Sequence, residues 1–317
     1  MHMVSAALAR GHEVTLFHRG STGPDLFPGV ESILGDRTKN LDLLKGRRWD
    51  AVVDSSGYEP ATVAASAEAL KESAPIYLFV STISVYEPSA TPIKEEDAFV
   101  AIPDGMSLTG VTGESYGPLK VLCEREVARV YGDKAIIVRP GLVVGPGDYT
   151  DRFTYWPLRM KQGSEILVPN RPDLQWQMID GRDLGDFTIH LLDAGARGVF
   201  NAVGPASSKS MGEYLEETRL VANPDCKLVW VDEDFLKERD VHEWSELPFF
   251  VWSSNGPEGL SVDVSKAVAS GLVLRPHGDT VRDLMVWKAA QENPENLKTG
   301  LSRERQAELL AELSLKH

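Results

Sequence analysis

Short apolar runs alternate with helical patterns through the first 140 residues, and that alternation restricts the fold more tightly than any other feature of the chain. Strands read at 13–17, 30–34, 50–54 and 76–81, with helices near 38–46 and at 60–72. A long helix from Ser115 to about Tyr131 then feeds a strand at 134–139. Repeated strand and helix alternation implies parallel crossovers, hence an α/β chain with a doubly wound, Rossmann-type parallel sheet covered by helices on both faces. After Pro140 the pattern loosens, and six of the seven Trp lie beyond residue 150, where a smaller C-terminal lobe is expected. A helix at 182–194 and a strand at 198–203 read as a return to the sheet, so that lobe is discontinuous. The expected organisation is a sheet domain of 1–150 plus 177–206, a lobe of 151–176 plus 207–290, and a helical tail at 291–317. Helices at 210–222, 264–270, 279–291 and 302–314 supply the later parts, and the charged tail reads as a solvated or frayed helix.

Composition removes several classes of function. Net charge is −14, so attraction to a phosphate backbone does not drive what this surface does, and nucleic acid is not expected as a partner. Only Cys123 and Cys226 occur, without the spacing of a zinc site or a disulfide framework, and no His, Cys and carboxylate cluster has metal-ligand spacing. The longest apolar runs, such as Ile76–Val80 and Ala135–Val138, are strand-length, far from the roughly 20 residues a bilayer needs. No export signal is visible at the start. The expectation is a cytoplasmic protein that acts on a small molecule, with room for a homodimer and none for a membrane.

Tyr116 and Lys120 form a YxxxK pair in ESYGPLK. Residues i and i+4 share a helix face, so the Lys120 ammonium can lie near the phenol and near a bound ribose. A nearby cation stabilises phenolate and lets Tyr116 exchange a proton with a substrate hydroxyl near neutral pH. Alone the motif is weak, because a solvated helical pair reads the same way. Its context strengthens it: strand 76–81 ends in STISVY, which places Ser81 and Thr82 at the C-terminal end of a parallel strand, where open α/β sheets bind ligands.

The ordered set of strand, hydroxyl pair, YxxxK helix, strand and RPGLVVGP resembles the extended short-chain dehydrogenase/reductase superfamily, in its NAD-dependent epimerase/dehydratase branch. IDGRDL at 179–184 and DVSKAVASGLVLRP at 263–276 extend the resemblance over nearly the whole chain. It implies Tyr116 as general acid/base, Lys120 as the residue that tunes it and holds the nicotinamide ribose, and Thr82 as the hydroxyl that bonds the reacting oxygen. Ser81 is the alternative for that hydroxyl, with strand capping as its structural role. Asp36 matches a position that meets the adenine, Asp54, Ser55, Ser56 and Gly57 a turn lying along the cofactor, and Pro140, Gly141, Leu142 and Val143 a segment near the nicotinamide.

Two departures bear on the cofactor. At the end of the second strand, where an acid favours NAD, this chain has His18 and Arg19, and Arg19 with Ser21 or Thr22 favours NADP over NAD. The family's glycine fingerprint has no counterpart. GVTGESYG follows a polar loop instead of a strand and overlaps Tyr116, so it is no phosphate turn. The opening MHMVSAALARGHEVTLF reads instead as the second half of a β-α-β unit: a helix, Gly11 as its stop, and a strand over Val14–Phe17. A first strand and glycine turn are expected ahead of it, which makes an incomplete start the leading expectation and a truncated protein with weakened dinucleotide binding its rival.

Thr82 is followed by Ile83 and Ser84 in place of an acidic pair, which disfavours a dehydratase. VRPGLVVGP contains no asparagine for a diphosphate and is similar to carbonyl reductases. The expected activity is therefore hydride transfer between nicotinamide and a carbonyl or hydroxyl carbon, with a reductase favoured and a nucleotide-sugar epimerase as the alternative. A non-catalytic binding or regulatory member of the superfamily is the alternative of another class. Arg152, Arg171, Arg182 and Lys209 could bind an anionic substrate or simply be solvated, and WSELPFFVW at 244–252 reads more readily as core than as pocket lining.

Overall fold

A computed structural model describes residues 1–315 except 22, 24, 90 and 256–260. In chain order the elements run α1 (His2–Ala9), β1 (Thr15–His18), β2 (Glu31–Leu34), β3 (Val52–Asp54), α2 (Pro60–Leu70), β4 (Tyr77–Val80), α3 (Gly113–Tyr131) and β5 (Ala135–Pro140). Next come β6 (Leu142–Val144), α4 (Tyr155–Gln162), β7 (Glu165–Pro169), β8 (Gln175–Trp176), β9 (Met178–Asp180), α5 (Gly181–Asp193) and β10 (Gly198–Ala202). The chain closes with β11 (Lys209–Ser210), α6 (Met211–Ala222), β12 (Lys227–Val231), α7 (Glu233–Lys237), α8 (Ser265–Ala269), α9 (His277–Ala289) and α10 (Arg303–Ser314).

Two compact units result. Met1–Leu142, Arg182–Ala206 and Val262–Val273 form the first; Val143–Gly181, Ser207–Ser261 and Leu274–His317 form the second. The first unit thus ends its long opening segment at Leu142, eight residues before the expected boundary at 150, and it also includes α8, which the sequence assigned to the smaller lobe.

The first unit holds parallel strands in two ladders, β1 with β2, and β3, β4, β5 and β10 in the order β10-β5-β4-β3. All pairings in both ladders are parallel, as the crossover pattern requires. Tyr77, Leu78 and Phe79 on β4 are fully buried, and all six residues of β5 are buried, which is what strands covered on both faces look like. On one face α2 and α3 close the core through Val63, Ala67 and Leu70 against Cys123, Val127 and Val130, with Tyr77 and Phe79 beneath and Phe17, Ile33 and Val52 at its margin. A second cluster joins α1 to α5 through Ala6, Ala7 and Ile189. The α1–α5 crossing is close because Gly185 carries no side chain: a Cβ there would lie 2.7 Å from the His2 carbonyl carbon. Near 38–46, where a helix was expected, only a short 3-10 turn forms over Leu41–Leu44. Gly46, at φ +77°, lies just beyond its end.

In the second unit β12 runs parallel to β7 and β11 antiparallel to β8. Of the two forms expected for the charged tail, a solvated helix or a frayed end, the helix is the one that forms, with most of α10 exposed and one side docked. Ser302 caps α10, Leu301 and Leu309 are buried, the Arg305 guanidinium donates to the Arg239 carbonyl, and Arg239 pairs with Glu312. Gly300 permits this approach, since at φ +101° a Cβ would lie 2.0 Å from the Tyr155 ring. In the WSELPFFVW stretch Leu247, Phe249 and Phe250 are buried, in keeping with a packing role. Among the described residues no helix is long and apolar enough to cross a membrane.

Candidate functional site

The helix that carries Tyr116 and Lys120 is set by local chemistry. Thr112 caps α3 by accepting from the Ser115 amide at 3.1 Å, while the Ser115 hydroxyl accepts from the Thr112 amide at 2.9 Å. Gly117 brings the first turns of α3 against the end of β4: a Cβ there would lie 2.2 Å from the Ser84 carbonyl oxygen, so no other residue fits without moving backbone. The YGPLK stretch therefore seats its tyrosine beside the turn that contains Thr82.

Thr82 starts that turn. Its hydroxyl accepts from the Ser84 amide at 3.1 Å and lies 3.2 Å from the Ser84 hydroxyl. Ser81 fixes the end of β4 through its amide, which donates to the Val138 carbonyl at 2.7 Å. The Ser81 hydroxyl is buried and has no hydrogen-bond partner among the described residues. A buried hydroxyl in that state holds an unfilled donor and acceptor at the ligand-binding end of the sheet.

Lys120 is 3% exposed. Its ammonium donates to the Gly57 carbonyl at 2.8 Å and the Val80 carbonyl at 2.7 Å, tying the turn after β3 to the end of β4 and leaving a third N–H. It also sits over the Phe79 ring at 4.2 Å and the Tyr58 ring at 5.4 Å. Burial lowers its pKa to about 8, and the carboxylates of Asp54 and Glu124 only partly oppose that. Tyr58 and Tyr116 form a tilted pair with ring centroids 6.4 Å apart. Gly57 is required in its place, because a Cβ would lie 2.6 Å from Val63 and 2.7 Å from Phe79.

Asp54 belongs to a second cluster that sequence reading assigned only in part. Arg37 grips its carboxylate with both terminal nitrogens, at 2.8 and 2.7 Å, and the Tyr77 hydroxyl donates to it at 2.7 Å. Burial raises the Asp54 carboxyl, but the Arg37 and Tyr77 bonds outweigh it and leave the pKa below the usual carboxylate range. Ser56 is exposed, with its amide donating to Asp54 at 3.2 Å, and Ser55 is exposed beside it. Asp36 accepts from the Thr38 amide and hydroxyl at 2.8 and 2.7 Å, and those bonds lower its pKa, with a small contribution from the charge of Arg19. The His18 ring accepts from the Gly20 amide at 3.0 Å, which holds the turn after β1, and Arg19 is exposed. Thr22 lies outside the described residues.

Pro140 is buried at the end of β5 and pairs in register with Ala202. Gly141 lies close to Val203 and Ile83, where a Cβ would come within 3.3 Å of both, and Leu142 is half-buried. Val143 opens the second unit. Of the expected site residues, Ser81, Thr82, Gly57, Tyr116 and Lys120 thus gather at the ends of β3 and β4, linked by Lys120 and by Gly117. The four arginines and lysines proposed for an anion have other surroundings in part: Arg171 pairs with Glu233 at 3.6 Å and Arg152 lies over the Trp244 ring. Lys209 pairs with Glu217 at 2.5 Å. Arg37, Tyr77 and Tyr58 were missed. Arg37 had a weak signal in standing beside Asp36; the two tyrosines had none, since a strand aromatic and a loop aromatic read as packing.

The residues fit a nicotinamide dinucleotide at one end. The orphaned Ser81 hydroxyl, the Thr82 hydroxyl and the Lys120 ammonium form a polar set at the C-terminal end of parallel strands, where a nicotinamide ribose finds partners.

The parallel strands, the threonine at the end of β4 and the YxxxK helix beside it are the arrangement that the resemblance to the extended short-chain dehydrogenase/reductase superfamily implies. Residues 62–203 match the NAD dependent epimerase/dehydratase family. Three solved structures share the fold. The Bordetella bronchiseptica enzyme WbmH in complex with NAD+ is 16% identical, with 91% of this chain and 94% of that one covered at a TM-score of 0.66. A putative epimerase from Burkholderia cenocepacia is 20% identical, with the same coverage and a TM-score of 0.70. UDP-glucuronic acid 4-epimerase from Bacillus cereus in complex with NAD is 15% identical, with 89% and 92% covered and a TM-score of 0.64. A comparison with curated protein sequences gives no match.

Proposed function

We propose that the protein is a nicotinamide-dependent enzyme that oxidises and reduces a hydroxyl-bearing carbon of a small molecule, with epimerisation of a nucleotide-linked sugar as the favoured use. The observation that carries the reading is the convergence of Thr82, Tyr116 and Lys120 at the end of β4, brought about by the Gly117 contact and the two Lys120 bonds. Support for a sugar substrate comes from the relatives, among them the UDP-glucuronic acid 4-epimerase and MoeE5, whose structure contains UDP-glucose and NAD. The same relatives favour NAD over the NADP that Arg19 suggests, and they lend no support to the reductase favoured by VRPGLVVGP.

A bound nicotinamide supplies the hydride acceptor and donor at its C4 carbon. Ser81 and Lys120 would hold its ribose. Thr82 orients the substrate oxygen by a hydrogen bond, and Tyr116 takes the hydroxyl proton as the carbon is oxidised and returns it on reduction. The Lys120 cation, fixed by two carbonyls, stabilises the phenolate that this exchange requires. An epimerase runs the transfer in both directions on one bound substrate, with the hydride leaving one face of the carbon and returning to the other, whereas a reductase runs it in one direction only.

Titration with NADH and NADPH, followed by nicotinamide fluorescence, tests binding, and incubation with UDP-sugars followed by proton NMR tests epimerisation. Tyr116→Phe is expected to retain cofactor binding and lose turnover by roughly a hundredfold or more. Failure of the folded protein to bind either dinucleotide, or unchanged turnover in Tyr116→Phe, refutes the reading.

A further inference from the structure

Lys120 reaches its position through a shell in which each group has a distinct part. The Gly57 and Val80 carbonyls hold two of its protons, and the Phe79 ring lies against it at 4.2 Å from a fully buried position. On another side is Tyr58, whose ring lies 5.4 Å from the ammonium, yet Tyr58 is itself 44% exposed. A nearly inaccessible cation therefore sits against a partly exposed aromatic ring.

The charges around Lys120 are largely matched among themselves. On α3 it faces Tyr116 one turn earlier and Cys123 and Glu124 one turn later; from the turn after β2 it faces Arg37, and from the end of β3 it faces Asp54. Glu124 is paired with Arg139 and Asp54 with Arg37, so neither carboxylate acts on Lys120 as an uncompensated charge. Burial is the largest influence on its proton affinity. Whatever controls water at the ammonium therefore controls its ionisation.

We propose that Tyr58 is a positioning residue of this site: its ring covers the Lys120 ammonium against water and so sets the pH range in which Lys120 carries charge beside Tyr116. The consequence for Tyr116 rests on the functional reading above; the cover itself does not. Two effects oppose each other when the ring is removed. Loss of the π face destabilises the cation, but Phe79 keeps the nearer face. Entry of water stabilises the cation, and because burial dominates, hydration wins. The ring, and not the phenol hydroxyl, is the active part, so phenylalanine serves in its place.

The test needs no cofactor. Protein carrying ¹³C-labelled lysine is titrated by NMR at the side-chain Cε, with the Lys120 resonance identified by its disappearance in Lys120→Arg. The expected midpoint is about 8 in the unaltered protein. Tyr58→Ala is expected to raise it by about one unit or more toward the usual lysine value of about 10.4, while Tyr58→Phe leaves it in place. Far-UV circular dichroism confirms that both variants fold. A Tyr58→Ala midpoint that stays or falls overturns the proposal, and so does a Tyr58→Phe midpoint displaced as far as that of Tyr58→Ala. A raised midpoint in a protein that binds neither NADH nor NADPH overturns the functional reading and leaves the cover standing.

Discussion

Arg139 on β5 carries a guanidinium through the centre of the first unit, and removing it should be among the most damaging single changes there. Its Nε and one terminal nitrogen donate to the two oxygens of Glu124 on α3, at 2.9 and 2.6 Å, and the other terminal nitrogen donates to the Glu95 carbonyl at 2.9 Å. That nitrogen also donates to the Tyr86 hydroxyl, which in turn donates to Asn201 on β10 at 2.7 Å. The side chains of Arg139 and Glu124 are only 2% and 5% exposed. Arg139→Met would leave the Glu124 carboxylate without its cation in a dry environment, a loss of about 3–5 kcal/mol. Against a typical total stability of about 5–15 kcal/mol, that is a large fraction. Because the cost comes from the stranded carboxylate and not from the absent contact, Arg139→Met with Glu124→Leu should recover most of it. Urea unfolding followed by circular dichroism reads both variants, and hydrogen exchange of the β4 and β5 amides localises the effect. A single variant that loses less than about 1 kcal/mol, or a double variant no more stable than the single one, refutes the reasoning.

Asp54 gives a pH prediction. Its folded pKa lies below the unfolded value, so the stability it adds is present above about pH 4 and is lost as the pH falls through the folded pKa. Asp54→Asn should therefore be less stable than the parent at neutral pH and should show a flatter decline below pH 4, measured as thermal midpoints across the acid range. Gly117→Ala should cost about 1–3 kcal/mol and displace α3 from the Thr82 turn, because the new methyl meets the Ser84 carbonyl. Differential scanning calorimetry measures the first effect. Unchanged turnover in that variant would show that the α3 contact does not place Tyr116.

The parallel sheet was legible because buried parallel strands contain continuous apolar runs such as YLFV and AIIV and the intervening helices bury one face, so periodicity reports both directly. Candidate chemistry was legible where residue type and spacing coincide: Tyr116 and Lys120 lie one helical turn apart, and Ser81 and Thr82 close a strand. Destinations were not legible. Arg139 looked like a marker in RPG and is the hub of a buried network; Asp54 looked like a turn residue and is held by Arg37; the tail looked solvated and has one side docked by Leu301 and Leu309. In each case the partner lies 15 or more residues away, and in the first case the network reaches β10. Local periodicity carries no information at that range.

By itself, the sequence determined the alternation of elements, and with it the parallel ladders and the helices on both faces, because those follow from backbone geometry and the burial of apolar side chains. Only the tertiary structure decided how charges inside the first unit are satisfied: which carboxylate each arginine meets, which carbonyls hold Lys120, and that a loop tyrosine covers it. Burying a charge is costly unless partners converge on it from several elements, and convergence is a property of the folded chain.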